Sequence, residues 1–191
     1  MSDIETILLE LSSEDENRAE QAASRLAGLG GRALEALKTR LLHPQVDQRW
    51  WAVRALANFP DREATRLLVS ALGDQDPSVR HCAALALAGR ADEDAIAALA
   101  SALSSSDTLL ARLAANSLVS TGAEAVPALL DILKDCPEVY RAETVRALAL
   151  IGDPRAIPAL YNALADDSAL VEYWAEEGLE RMGVGMVYFK P

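Results

Sequence analysis

The side chains best suited to chemistry are few, and two of them are adjacent. The 191-residue chain holds two histidines and two cysteines, and His81 directly precedes Cys82. Neighbouring residues on a helix point about 100° apart, so this imidazole and this thiol need not touch. One interpretation is a surface histidine beside a semi-buried cysteine. The other is a pair whose thiol or imidazole contacts a bound ligand or a partner.

Other catalytic and ligand-binding motifs are missing from the sequence. There is no P-loop and no G-x-G-x-x-G, and Gly28-Leu29-Gly30-Gly31 has the pattern of a helix-end turn. A Ser-His-Asp triad would have to use His81, because His43 stands before Pro44, and no nucleophile elbow accompanies it. Cys82 and Cys136 lie far apart, which argues against a disulfide framework and a zinc site and favours a reducing, cytoplasmic compartment. We therefore predict no catalytic residues and no metal site.

Charge and hydropathy exclude two further classes of partner. Eighteen Lys and Arg against 29 Asp and Glu give a net charge of -11, which would repel a nucleic-acid backbone. No apolar run approaches the length of a membrane span, and the first residues lack the pattern of a signal peptide. The expected partner is therefore a protein, with no nucleic acid and no membrane insertion. Since aromatic residues make up only 5% of the chain, the core must consist of alanine and leucine.

Two ladders of leucines reveal the elements that position these residues. The first ladder is Leu11, Leu41, Leu72, Leu103, Leu133 and Leu164. The second ladder is Leu26, Leu56, Leu87, Leu118, Leu148 and Leu179. Steps within each ladder are 30 or 31 residues, and the second trails the first by 15. This spacing predicts a unit of two helices, A and B, repeated six times.

Such units cannot bury their apolar stripes alone, so they must stack. We predict an all-α, right-handed α-solenoid that forms a single domain over residues 1–191. The predicted repeats are about 2–30, 31–60, 61–91, 92–122, 123–152 and 153–183. The apolar tail 184–191 is expected to cover the open end of the last repeat, or to serve as an adhesive strand for a partner.

Helix boundaries have signals of their own. Ser2 with Glu5 and Ser13 with Glu16 have the pattern of capping boxes. Glycines follow four of the B-ladder leucines at the position where a left-handed residue ends a helix, namely Gly30, Gly122, Gly152 and Gly183. Pro60 and Ala91 replace that glycine in the second and third repeats, so those two junctions should turn differently.

Arginine recurs seven residues before the B-ladder leucine in three repeats, as Arg49, Arg80 and Arg141. Aspartates and exposed carbonyls of the A–B turns lie nearby, and a guanidinium fork can bridge such acceptors. We interpret these three arginines as structural.

The B helices are expected to line the inner face of the solenoid. If Ala52 and Leu56 face the core, the exposed positions follow the arginine position by one, two and five residues. The candidate partner-binding residues at these positions are Trp50, Trp51, Arg54, His81, Cys82, Arg112, Asn116, Glu143, Arg146, Tyr173, Trp174 and Glu177. Tryptophan, tyrosine and arginine are typical of binding hot spots. One continuous column is expected to carry partner binding and to favour an acidic patch or propionate groups on the partner. Its residues are Trp51, Arg54, Arg112, Arg146 and Trp174.

Three segments carry a family resemblance. Residues 76–80, Asp-Pro-Ser-Val-Arg, followed by Ala83-Ala84 and Ala86-Leu87, resemble the HEAT-like repeat of the phycobilin lyase type. Residues 152–160, Gly-Asp-Pro-Arg-Ala-Ile-Pro-Ala-Leu, are similar to its junction and A-helix start, and residues 173–183 with the tail are similar to the ends of phycobilisome-associated members. The resemblance covers about residues 4–183. It implies cyanobacterial proteins that attach, isomerise or detach bilins on phycobiliproteins, adaptors in phycobilisome turnover, or plain binding modules.

We therefore expect a non-hydrolytic, cytoplasmic protein-binding module without a cofactor, whose partner is a phycobiliprotein. The first alternative is a bilin lyase or isomerase subunit. There His81 or Cys82 would contact the bilin, and Arg54, Arg112 and Arg146 would hold its propionates. The second alternative is a scaffold unrelated to light harvesting. Deoxyhypusine hydroxylase, another HEAT-like family, binds two irons through repeated His-Glu pairs, which this sequence lacks.

Overall fold

The computed structural model describes residues 3–134 and 137–184. These residues form twelve α-helices: α1 Asp3–Glu10, α2 Glu16–Ala27, α3 Gly31–Arg40, α4 Val46–Leu56, α5 Arg62–Ala71, α6 Pro77–Ala86, α7 Glu93–Ala102, α8 Thr108–Thr121, α9 Val126–Lys134, α10 Glu138–Ile151, α11 Ile157–Ala163 and α12 Ala169–Arg181. Short 3-10 turns, Gly122–Ala125 and Pro154–Ala156, precede α9 and α11. No strand occurs within the described ranges, so the predicted all-α fold with two helices per repeat is confirmed. The predictions for Ser2, Cys136 and the tail beyond Val184 lie outside the described residues.

The helices are distributed over two compact units, Met1–Ala98 and Leu99–Pro191, where the sequence predicts one domain. We call them the N-terminal unit and the C-terminal unit. In the N-terminal unit the B helices α2, α4 and α6 pack side by side, and α1, α3 and α5 each lie against the B helix of their own repeat. In the C-terminal unit α8, α10 and α12 pack side by side, with α9 against α10 and α11 against α12. Each unit is thus built as an α-solenoid.

The two leucine ladders differ in burial. All six B-ladder leucines are buried. In the A ladder, Leu11 and Leu103 are fully buried, whereas Leu41, Leu72, Leu133 and Leu164 are only half-buried. The A-helix residues one turn earlier are fully buried in five repeats: Leu37, Leu68, Leu99, Leu129 and Leu160. The A helices therefore contribute to the core mainly through that earlier turn.

Small residues one turn before the B-ladder leucines set the spacing of the B helices. These residues are fully buried in every repeat: Ala22, Ala52, Ala83, Ala114, Thr144 and Ala175. A close approach occurs between α10 and α12, where a Cβ atom on Gly178 would lie 2.7 Å from Cβ of Ala149. Real Cβ atoms do not approach so closely, so this contact requires glycine.

One helix start differs from the sequence prediction, and one junction between repeats turns as predicted. The N-cap of α2 is Asp15, whose carboxylate accepts hydrogen bonds from the amides of Asn17 and Arg18 at 3.0 and 3.3 Å. Ser13 was expected to cap this helix, but its hydroxyl accepts the Asp15 amide instead, since a carboxylate next to the helix also complements the helix dipole. In the third repeat the left-handed residue is Gly89, two residues before Ala91. The expectation that this junction turns differently is confirmed.

The buried B ladder predicts a large loss of stability when one of its leucines is truncated. Leu87 is fully buried, so Leu87→Ala should lower the free energy of unfolding by about 2–5 kcal/mol. Leu85, two residues earlier on α6, is 56% exposed, so Leu85→Ala should change that free energy by less than about 0.5 kcal/mol. Urea unfolding followed by circular dichroism measures both. Equal effects of the two substitutions would contradict the placement of Leu87 in the core and of Leu85 at the surface.

Candidate functional site

Trp50 and Trp51 form an aromatic pair on α4 in the N-terminal unit. Their rings meet edge to face, with centroids 4.9 Å apart and planes at 89°. Both side chains are half-buried. Edge-to-face contact is a favoured arrangement of aromatic rings, so the pair holds both indoles in position while part of each stays exposed.

A cavity of about 560 Å³ lies between α2 and α4, and we call it the α2–α4 cavity. Its lining residues are Ser13, Glu14, Glu16, Asn17, Glu20, Trp50 and Trp51. Glu20 accepts a hydrogen bond from Nη2 of Arg54 at 2.6 Å, which links the two helices. The lining thus combines three carboxylates with two indole rings and includes no lysine or arginine.

A second cavity, of about 580 Å³, lies on the other side of Trp50, between α4 and α6. This α4–α6 cavity brings together four of the predicted site residues: Trp50, Arg54, His81 and Cys82. Ser78, Leu85 and three alanines complete the lining, and none of these described residues is a carboxylate. Trp50 therefore separates a carboxylate-rich cavity from a largely apolar one. We call the surface formed by Glu20, Trp50, Arg54, His81 and Leu85 the N-terminal B face.

Sequence reasoning missed the acidic half of this face. Glu20 occupies in the first repeat the position that Trp50 occupies in the second and His81 in the third. The repeat register could have revealed Glu20, because steps of 31 and 30 residues lead back from His81 through Trp50 to this position.

Cys82 does not belong to the exposed face, contrary to the prediction. Its side chain lies at the wall of the α4–α6 cavity, and the residue is only 7% exposed, which agrees with the interpretation of a semi-buried cysteine. Burial raises the pKa of the Cys82 thiol to about 11. The thiol is therefore protonated at neutral pH and is a poor nucleophile.

Arg146 is also buried, contrary to the prediction, with 9% of its surface exposed. In the C-terminal unit its Nε donates to Glu143 at 2.7 Å and its Nη2 donates to Oδ1 of Asn116 at 2.8 Å. The structure thus brings these three predicted site residues together as a polar link between α8 and α10. Because the guanidinium already has these partners, Arg146 is poorly placed to receive an external anion.

The remaining predicted residues lie on α8 and α12. Arg112 is exposed on α8. Tyr173 and Trp174 meet edge to face with centroids 5.2 Å apart, and Glu177 lies 3.5 Å from Arg181 on the same helix. The predicted continuous column draws on residues of both units and stays a prediction.

Arg49 connects two successive A–B turns. Its Nε and Nη2 donate to the carboxylate of Asp74 at 2.7 and 2.8 Å, and its Nη1 donates to the carbonyls of His43 and Pro44. The hydrogen bond from Arg49 holds the pKa of the Asp74 carboxyl below its usual range. The turn after α3 is thereby fixed to the turn after α5.

Arg80 and Arg141 make related contacts at their own turns. Nη1 of Arg80 donates to the carbonyls of Asp74 and Gln75 at 3.0 Å each. Nη1 of Arg141 donates to the carboxylate of Asp166, in the turn after α11. All three arginines therefore contact turn acceptors, and none of them lines a cavity of the N-terminal B face.

A third cavity, of about 890 Å³, lies between α9 and α11 in the C-terminal unit. Its apolar lining includes Val126, Leu130, Pro158 and Ala159. No motif in the sequence indicated this groove, because its walls come mainly from ordinary residues of the A helices α9 and α11.

The described residues contain neither a metal-binding cluster nor a membrane-spanning helix. In residues 3–134 and 137–184, no three His, Cys, Asp or Glu side chains lie close enough together to hold a metal ion. Within the same ranges, no helix has both the length and the apolar character needed to cross a membrane.

Stacked two-helix repeats place the protein in the class of α-solenoid repeat proteins. The family model described as HEAT repeats matches residues 34–120 and 126–184, which is more than half of the chain. The chain therefore belongs to the HEAT repeat family. No curated protein matches the chain.

Solved structures share this fold. The complex of CpcE and CpcF of phycocyanin lyase from Nostoc sp. PCC7120 matches with a TM-score of 0.54 and 22% identity, over 96% of this chain and 78% of that chain. A designed armadillo repeat protein in complex with the peptide (KR)4 matches with a TM-score of 0.52 and 21% identity, over 95% and 100% of the two chains. An engineered protein matches with a TM-score of 0.50 and 25% identity, over 97% and 98%. At identities this low, the first two likenesses show the fold alone.

The Arg49–Asp74 bridge predicts a pH-dependent contribution to stability. Because the pKa of Asp74 is lower in the folded chain than the usual value of about 3.9, its contribution is present above that value and is lost as pH falls through the folded pKa. Asp74→Asn should therefore lower the free energy of unfolding by about 1–3 kcal/mol at pH 7, since a hydrogen bond to a charged group is lost. The difference from the wild type should shrink as pH falls below about 3.9 and the Asp74 carboxyl becomes protonated. Urea unfolding across the pH range measures it.

Asp131→Asn provides the control for this experiment. Asp131 pairs with Lys134 at the surface, with 73% of its side chain exposed. Surface pairs of this kind contribute about 0–1 kcal/mol, so the substitution should have little effect at any pH. A pH-independent loss in Asp74→Asn would show that the charge of Asp74 is not what stabilises the turn.

The raised pKa of Cys82 predicts slow alkylation. In a Cys136→Ser background, iodoacetamide should modify the folded protein slowly at pH 7 to 8, with a rate that climbs only as pH approaches 11. The same protein unfolded in urea should titrate near the ordinary thiol pKa of about 8.5. Mass spectrometry of timed samples measures both rates. Equal rates in the two states would contradict the burial of the thiol.

Proposed function

We propose that this HEAT repeat protein binds another protein through the N-terminal B face, and that the partner is a phycobiliprotein. The observation that carries the proposal is the pair of cavities on either side of Trp50. An aromatic side chain fixed between two concave pockets is the arrangement from which binding hot spots are built. A segment of a partner that crosses α4 would cover Trp50 and fill both cavities.

The exposed part of the face supports a protein partner. Leu85 is among the exposed large apolar residues of the chain, and it lies at the α4–α6 cavity beside the half-buried Trp50 and His81. Arg54 and Glu20 form an ion pair with about four-tenths of each side chain exposed. Apolar anchors surrounded by partly exposed polar groups are typical of protein interfaces.

The proposal of a phycobiliprotein as the partner rests on similarity to known proteins. The sequence resembles the HEAT-like repeats of the phycobilin lyase type, and the phycocyanin lyase complex of CpcE and CpcF shares the fold. The complex of a designed armadillo repeat protein with a peptide supports the broader statement that this fold suits peptide binding.

A charge introduced at the exposed anchor tests the proposal. Leu85→Glu places a carboxylate beside the α4–α6 cavity, and because Leu85 is largely exposed the variant should unfold at nearly the wild-type temperature. Calorimetric titration of the full chain with purified phycocyanin should show a Kd at least tenfold higher for the variant, because a charge would have to be desolvated in the interface.

Leu42→Glu is the matched control. Leu42 is 83% exposed in the turn after α3 and lines neither cavity. The control should bind phycocyanin as the wild type does. If Leu42→Glu abolishes binding and Leu85→Glu does not, the working surface lies elsewhere. If the wild type does not bind phycocyanin, the phycobiliprotein assignment is wrong.

A bilin lyase subunit is the second candidate, favoured by the same likeness and by the α4–α6 cavity, which holds Arg54 and His81. Guanidinium groups suit the propionates of a bilin. The protonated thiol of Cys82 disfavours a covalent adduct of the bilin at this residue. Mixing the protein with free bilin and apo-phycocyanin should then shift the visible absorbance band. An unchanged spectrum would leave binding alone as the function.

A further inference from the structure

The two cavities of the N-terminal B face have opposite chemical character. The α2–α4 cavity is lined by Glu14, Glu16 and Glu20 together with both indoles, whereas the α4–α6 cavity has no carboxylate in its lining. Because their linings differ, the two cavities should accept different side chains of a protein partner.

We propose that the α2–α4 cavity receives a lysine or arginine side chain from a basic segment of the protein partner. This inference rests on the proposed function, since it names the chemistry of the segment that crosses the N-terminal B face. It also reverses the expectation from the sequence, which favoured an acidic patch on the partner.

The tryptophan pair supplies the first half of the argument. Indole faces attract cations through the negative charge of the ring face, and tryptophan does so more strongly than tyrosine or phenylalanine. Trp50 and Trp51 stand at 89° to one another, so they present differently oriented ring surfaces to one cavity. The aliphatic stem of lysine or arginine would pack against the same indoles.

The carboxylates supply the second half. Glu14 and Glu16 are exposed at the start of α2, and Glu20 lies one turn further along the same side of that helix. Among the described residues, Arg54 is the cation that contacts this group, and its carboxylate partner there is Glu20. The chain thus leaves an excess of negative charge at the cavity, which a cation from the partner would neutralise.

The start of α2 does not favour an anion in this cavity. Free amides at a helix N-terminus attract anions, but Asp15 already accepts from the amides of Asn17 and Arg18. The capping carboxylate adds further negative charge beside Glu14 and Glu16. A phosphate or a carboxylate would therefore be repelled here.

The experiment uses two of the three tryptophans of the chain as reporters. In a full-length Trp174→Phe variant, the remaining indoles, Trp50 and Trp51, both line the α2–α4 cavity. Their fluorescence is titrated with a glycine–serine peptide that carries three lysines, and with the same peptide carrying uncharged norleucine in place of lysine. The lysine peptide should change the fluorescence saturably and bind at least tenfold more tightly than the norleucine peptide. Its affinity should fall as salt is added.

Two double variants with the same change in net charge distinguish the cavity from the acidic surface as a whole. Glu14→Gln with Glu16→Gln should weaken binding of the lysine peptide at least tenfold. Glu35→Gln with Glu63→Gln alters exposed carboxylates on α3 and α5, outside both cavities, and should change it less than twofold.

Three outcomes would overturn the inference. Equal binding of the lysine and norleucine peptides would show that the cavity accepts any aliphatic chain. Equal loss in the two double variants would show diffuse attraction to an acidic protein. If neither peptide binds while phycocyanin binding remains sensitive to Leu85→Glu, the proposed function stands and the basic segment is excluded.

Discussion

Close packing between B helices is the constraint on which each unit depends. A fully buried small residue stands one turn before every B-ladder leucine, and Gly178 allows α12 to touch α10 where even a methyl group would clash. Small side chains let helix backbones approach closely. The approach buries one side of every B helix in the core, so the opposite side is left as a row of partly exposed positions. The residues of the N-terminal B face lie in this row, on the side of the B helices that does not pack into the core.

Arginines at the A–B turns hold this packing in register. Arg49 binds two carbonyls of its own turn and the Asp74 carboxylate of the next, so a single side chain fixes successive repeats to each other. Arg49 donates two hydrogen bonds to the Asp74 carboxylate, and this pair is largely buried, whereas the ion pair of Arg54 with Glu20 is far more exposed. Two arginines five residues apart on α4 therefore have different consequences. One stabilises the stack, and the other contributes charge to a surface.

The sequence predicted the fold well because buried leucines and alanines recur at equivalent positions in successive repeats. The B ladder and the small residues before it are buried in every repeat, and helix starts at Asp76-Pro77 and Asp153-Pro154 follow from local capping chemistry. The site was less predictable, because exposure at a repeated position depends on the neighbouring helix. Arg146 occupies the same position as Arg54, yet Asn116 and Glu143 bind its guanidinium and bury it. Spacing alone cannot reveal such partners.

The aromatic pairs illustrate how the neighbouring repeat determines the chemistry of a motif. Trp50 with Trp51 and Tyr173 with Trp174 occupy equivalent positions, and both pairs meet edge to face at similar distances. The helix before the first pair presents Glu20 at the equivalent position, whereas the helix before the second presents Ala142. A carboxylate beside an indole favours a cation, and an alanine leaves only an apolar surface. The same motif therefore has two surroundings in one chain, and the preceding B helix decides which of them can select a charged partner.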